Sequence, residues 1–156
     1  MINNIQSFLT YENIYLLINW GILPFWLMLL IIPHSSVTKI LVHSALIPLL
    51  LGSAYLFVSY KIYLEGNIFN GFELYSGLEN LYSLFSEESF LLIFWLHFLS
   101  LSIFLGSWIA RDSQKYSVPR AISFLSIVIT YFTGPIGIVF YWFFRIFFAK
   151  KISFNE

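Results

Sequence analysis

Apolar residues in this chain run in long blocks, and polar residues gather at the breaks between them. The cleanest block, Ser89 to Ala110, carries no charged residue. As a helix it would be roughly 33 Å long, enough to cross a hydrocarbon core of about 30 Å. Glu87 and Glu88 stand at its entry, where acids suit the positive end of a helix, and Arg111 with Asp112 form a charged exit. Three further blocks read the same way, at about 13–32, 37–60 and 121–144. The first closes at Pro33, and Ser36 or Thr38 is the expected N-cap of the second. The pattern predicts an all-α integral membrane protein, four transmembrane helices in a small bundle, as one domain over residues 1–156. Between the second and third spans lies a polar stretch with turn signals at Gly66-Asn67 and Asn70-Gly71. Within it Leu74, Leu78, Leu81 and Phe85 recur at helical spacing and predict a short interfacial helix with these residues toward the membrane.

Prolines and small residues mark structural positions inside the spans. Pro24 removes a backbone donor from the first span and predicts a kink there. Ser44, Pro48 and Gly52 recur every four residues and predict a close-packing face on the second span. In the fourth, Ser123, Ser126, Thr130, Gly134, Gly137, Tyr141 and Arg145 form one small and polar stripe, expected to pack on the third span. Gly134-Pro135-Ile136-Gly137 breaks that helix near mid-depth.

Composition agrees with the pattern. Hydrophobic residues make up 59% of the chain and charged residues 10%, against about 25% charged in soluble domains. Mean hydropathy is +0.81. A formal net charge of +0 gives no basic surface for nucleic acid. Cysteine is absent, which excludes disulfides, thiolate metal sites and cysteine nucleophiles. No Lys or Arg precedes Lys39, so the first block lacks the basic flank of a signal peptide. With four straight spans, Lys39, Arg111, Lys115 and Arg120 fall on one side and Lys61, Arg145, Lys150 and Lys151 on the other. Charge then sets no orientation.

Candidate chemistry centres on the third span. His97 sits inside its apolar run, on a stripe with Ser100, Phe104, Trp108 and Arg111. Such a stripe is expected to face the bundle interior. Asn19 offers a hydrogen bond to another helix or to a ligand. His34 and His43 are nine apart across a turn with no carboxylate beside them, so no metal site is expected.

The run NWGILPFWLMLLIIPHSSVTK, then ELYSGLENLYSLFSEESFLLIFWLHF with SWIARD, then GPIGIVFYWFFR, resembles the abscisic-acid-deficient-four-like membrane proteins, a family that includes plant neoxanthin synthase. The resemblance runs from Asn19 to Arg145 in order and spacing. It implies a four-helix protein of cyanobacterial thylakoid, plasma or plastid membranes, linked to xanthophyll metabolism, with no cofactor. The matching residues are Pro24, Phe25, Pro33, Thr38, Lys39, Trp95, His97, Phe104, Asp112, Pro135 and Gly137. Ser102 stands where the family usually has Asp, and Ser107 where it often has Arg. Converting an epoxide to an allene needs a proton delivered to the epoxide oxygen and another removed from the chain. His97 would supply one group; Asp112 with Arg111, Glu87 or Glu88, or a tyrosine would supply the other. Two readings follow. One is a carotenoid isomerase with a slot lined by Trp20, Trp26, Trp95, Phe104 and Trp108. The other is a non-catalytic subunit that binds pigment or lipid and docks to a larger photosynthetic membrane complex.

Overall fold

The computed structural model describes residues 9–44, 46–64, 72 and 75–150. Their regular structure is helical, with no strand among the described residues. In chain order the helices are α1 (Tyr11–Ile31), α2 (Ser36–Leu41), α3 (Leu46–Leu64), α4 (Leu78–Phe85), α5 (Glu88–Lys115), α6 (Arg120–Thr133) and α7 (Pro135–Ala149). Three stretches, Tyr11–Ile31, Ser36–Leu64 and Glu88–Lys115, are long and apolar enough to cross a membrane. The chain divides into two compact parts: the described residues of Met1–Ile22 with Leu49–Leu99, and those of Leu23–Pro48 with Ser100–Glu156.

α1 runs on through Pro24, so the expected kink does not end the helix. It stops at Ile31, because Pro33 disfavours the helical conformation at the residue before it. The cap of α2 is Ser35, not Ser36 or Thr38. Its hydroxyl accepts from the Thr38 backbone N–H at 3.1 Å, while the buried Thr38 hydroxyl donates to the Ile32 carbonyl at 2.7 Å. The second predicted span is not one helix. Pro48 lies in the first turn of α3, where a missing N–H leaves no bond unmade, and the helix boundary falls just ahead of it. The Ser44–Pro48–Gly52 face is also not a packing face, since a Cβ at Gly52 would meet nothing within 4 Å. α3 instead buries Ile47, Leu51, Val58 and Ile62.

α4 forms where the interfacial helix was expected, preceded by Gly77 at φ +154°, a conformation that favours glycine. Its anchor is Leu84, buried on the protein side, and Phe85 stacks on Phe94 at 4.3 Å. Leu78 and Tyr82 are exposed. Leu74 and the turn signals at Gly66-Asn67 and Asn70-Gly71 lie outside the described residues.

α5 has 28 residues and is about 42 Å long. Arg111 and Asp112 therefore lie within the helix, not after it. It buries Leu92, Leu96, Leu99, Ile103, Ile109 and Ala110, so the predicted interior stripe is turned the wrong way: His97, Phe104 and Arg111 are exposed. Close approach decides which face packs. A Cβ at Gly106 would lie 2.8 Å from the Trp26 ring, so glycine lets that indole seat here without shifting.

The fourth predicted span is two helices. At Gly134, with φ 61° and ψ −94°, the chain reverses. Gly134 ends α6 and Pro135 begins α7 at a position that needs no N–H. In a straight helix residues 126 and 137 would be roughly 16 Å apart. Here a Cβ on Gly137 would lie 2.7 Å from the Ser126 carbonyl oxygen and closer still to Thr130. The arms are thus antiparallel. The small, polar stripe lies between them, with Ser123, Ser126 and Thr130 buried on α6 and Gly137, Tyr141 and Arg145 buried on α7. The Ser126 and Thr130 hydroxyls donate to the carbonyls of Ile122 and Ser126, so they enter the seam already satisfied.

Candidate functional site

The reversal at Gly134 returns α7 to the C-terminal turns of α5. Arg145, fully buried, donates from Nε to Asp112 Oδ2 at 2.6 Å and from Nη2 to Oδ1 at 3.2 Å. Tyr141 donates its phenol O–H to the same Oδ2 at 2.7 Å. The guanidinium also lies over the rings of Tyr116 at 4.4 Å and Trp142 at 4.6 Å. Trp108 completes the cluster, edge-on to Tyr141 and stacked on Trp142. Asp112 therefore pairs with Arg145, not with the expected Arg111, whose side chain is exposed. Nor does Arg145 sit apart from Arg111, Lys115 and Arg120, as a straight fourth span required. A carboxylate held bidentately and given a phenol as well has three of its roughly four acceptor sites taken. It is a clamp joining the hairpin to α5.

His43 holds a second junction in the same part. Its Nε2 lies 2.8 Å from the Pro33 carbonyl and its Nδ1 lies 2.8 Å from the Ser107 hydroxyl. A carbonyl only accepts, so Nε2 carries the proton, and in the neutral ring Nδ1 accepts from Ser107. Arg120 donates to the Ile31 carbonyl at 2.7 Å, tying the start of α6 to the end of α1. Beside His43 is a cavity of about 250 Å³ lined by Pro48, Ile103, Phe104, Ser107 and Arg111.

In the other part, Asn19 bonds across helices. It accepts from Trp95 Nε1 at 3.0 Å and donates to the Tyr15 carbonyl at 2.9 Å. Tyr15 and Trp95 then wall a cavity of about 450 Å³, with Tyr11, Glu12, Glu88, Leu91 and Leu92 completing it. Lys61 lies 4.1 Å above the Tyr11 ring and donates to the Leu9 carbonyl. Two carboxyls and two phenols thus meet an indole at one apolar cavity.

The remaining expected site residues scatter. Trp20 is 71% exposed on α1. Trp26 is a core residue, 3% exposed and edge-on to Tyr131 at 5.2 Å, and its Nε1 has no hydrogen-bond partner among the described residues. Trp95 lines one cavity and Phe104 another, while Trp20, Trp26 and Trp108 line neither, so these five rings form no single slot in either part. Sequence reasoning missed Glu12, Tyr11, Tyr15, Tyr141 and the pairing role of Arg145. The signal for the last was the Gly-Pro pair at 134–135, a stop and start for two helices.

Neither the curated proteins nor the solved structures contain a match to this chain. A family model described as ABA DEFICIENT 4-like matches residues 13–141, a range that takes in Tyr15, Glu88 and Trp95 of the larger cavity and Asp112 with Tyr141, but not Tyr11, Glu12 or Arg145. The chain belongs to the ABA DEFICIENT 4-like family.

Proposed function

We propose that this protein binds a xanthophyll in a photosynthetic membrane by its oxygenated ring and isomerises an epoxide end group, as a neoxanthin synthase does. The cavity walled by Tyr11, Tyr15 and Trp95 carries the reading. Its volume of about 450 Å³ lies within the range of small-molecule sites, roughly 300–1,000 Å³. Three aromatic walls suit a ring and the start of a polyene. Glu12 and Glu88 supply the two titratable groups that the exposed His97 and the clamped Asp112 do not. A carboxylic acid or phenol protonates the epoxide oxygen as its carbon–oxygen bond breaks. A carboxylate takes the proton from the adjoining chain carbon, and the electron pair left behind completes the allene. No atom is gained or lost, so no oxidant or reductant is needed. In this reading three helical stretches cross the bilayer and the α6–α7 hairpin is re-entrant, since each arm is roughly 21–23 Å long against a core of about 30 Å.

The test is production of the protein in cells that accumulate an epoxy-xanthophyll, followed by pigment analysis. Allenic product is expected with the native chain. Glu88→Gln or Glu12→Gln should lower turnover about 10²-fold or more while pigment still co-purifies, and Trp95→Ala should lose the pigment. Unchanged pigments and none co-purifying would overturn the reading. The non-catalytic alternative draws on one observation, the exposed face of Tyr75, Leu78 and Tyr82 at the start of α4, which suits docking to a larger complex. Retained pigment without conversion, together with a shift of a native complex when Tyr82 is replaced, would favour that role.

A further inference from the structure

The cavity beside His43 is polar at one end and apolar at the other, and its charge is one-sided. Arg111 lies at the polar end. About two turns back along α5, about 10–12 Å away, Phe104 and Ile103 form the apolar wall with Pro48. The permanently charged groups whose fields reach His43 are Arg111 and Lys39, with no carboxylate among them. Asp112, the acid nearest in sequence to Arg111, is committed to Arg145 and Tyr141. Among the described residues Arg111 forms no ion pair. His43 and Ser107 are committed to each other, which fixes the floor of the cavity and leaves Arg111 as its cation. A cation at the end of a membrane-length helix, above an apolar groove that runs toward the helix middle, has the polarity of a lipid molecule in a leaflet.

We propose that this cavity holds an anionic lipid, its phosphate or sulfate headgroup on Arg111 with Lys39 alongside and one acyl chain against Phe104, Ile103 and Pro48. Charge decides the class of lipid. A zwitterionic head brings its own cation to a site that already has Arg111 with Lys39 nearby, whereas an anionic head meets only positive neighbours. The groove decides that the ligand is a lipid and not a free anion, because its wall is Phe104, which is 52% exposed and would otherwise lie uncovered.

The experiment uses the full chain in a neutral detergent, with either phosphatidylglycerol or phosphatidylcholine added to the micelles. Bound lipid is counted by native mass spectrometry and stability by thermal unfolding. Phosphatidylglycerol is expected to be retained preferentially and to raise the melting temperature. Arg111→Gln should weaken its retention about tenfold, as the loss of one hydrogen bond to a charged group predicts, and Arg111→Lys should keep part of it. Lys39→Gln should have a smaller effect in the same direction. Phe104→Ala should weaken retention without altering the preference over phosphatidylcholine. Both Arg111 and Phe104 are exposed, so the lipid-free variants should melt where the native chain does. Equal retention of the two lipids, or full phosphatidylglycerol retention by Arg111→Gln, would overturn the proposal. So would an equal rise in melting temperature with inorganic phosphate that Phe104→Ala leaves intact, since that is the behaviour of a free-anion site.

Discussion

Replacing Gly137 by alanine adds one methyl group at the close seam between α6 and α7. Built on the existing backbone, that Cβ would lie 2.7 Å from the Ser126 carbonyl oxygen, and the Thr130 backbone nitrogen and hydroxyl would be nearer still. An ordinary contact begins near 3.4 Å, so α7 would have to move out by 0.7 Å or more. The neighbours are largely backbone and no rotamer change relieves them. Overpacking of this kind costs about 1–3 kcal/mol, partly offset by up to about 1 kcal/mol from the better helix propensity of alanine. Displacing α7 also strains the bonds of Tyr141 and Arg145 to Asp112, one and two turns on. Thermal unfolding in detergent should therefore show a net loss of about 1–2 kcal/mol, and Gly137→Leu should lose more. Gly52→Ala is the control, with the same added atom and nothing within 4 Å of it, and it should be neutral or stabilising. Thr130→Ala in the Gly137→Ala background should give little rescue, because the backbone contacts remain. If Gly137→Ala melted like Gly52→Ala, the arms would not touch and the hairpin would be wrong.

Arg145→Met should destabilise by about 3–5 kcal/mol by leaving Asp112 buried and unpaired. The double change Asp112→Leu with Arg145→Met should recover much of that loss, as measured by a double-mutant cycle in thermal melts. His97→Gln, on the exposed side of α5, should leave the melting temperature unchanged and epoxide conversion at full rate in the pigment assay.

The apolar blocks alone placed most of the helices, because a run of twenty residues without charge has few other solutions in a chain this hydrophobic. Which side of each helix packs was not legible. In a soluble helix polarity marks the outer face, but α5 is apolar all round, and its packing follows from Gly106 admitting Trp26. His97 lies on the exposed side for that reason: small residues, not polar ones, decide the packed face. The Ser123-to-Arg145 stripe is a seam, but mainly between its own two arms, and only its end, Tyr141 and Arg145, packs on α5 as the pattern predicts. Its spacing continues in phase across Gly134, so a straight helix and a hairpin leave the same pattern. Asp112 and Arg145 are 33 positions apart, and His43 and Ser107 are 64. No local spacing reports such pairs. Asn19 was the exception, since a lone amide in a membrane helix has few ways to be satisfied other than a cross-helix bond such as that from Trp95.

The turn at Gly134 also redistributes charge. A straight fourth span would divide the basic residues four against four. With the arms folded together, the part built from Leu23–Pro48 and Ser100–Glu156 holds Lys39, Arg111, Lys115, Arg120, Arg145 and Lys150 against Asp112 alone, among the described residues. The other part holds Lys61 against Glu12, Glu79, Glu87 and Glu88. A straight helix would set Arg120 and Arg145 roughly 37 Å apart, so one glycine with positive φ gathers into one end of this part basic residues that would otherwise face opposite sides of a bilayer.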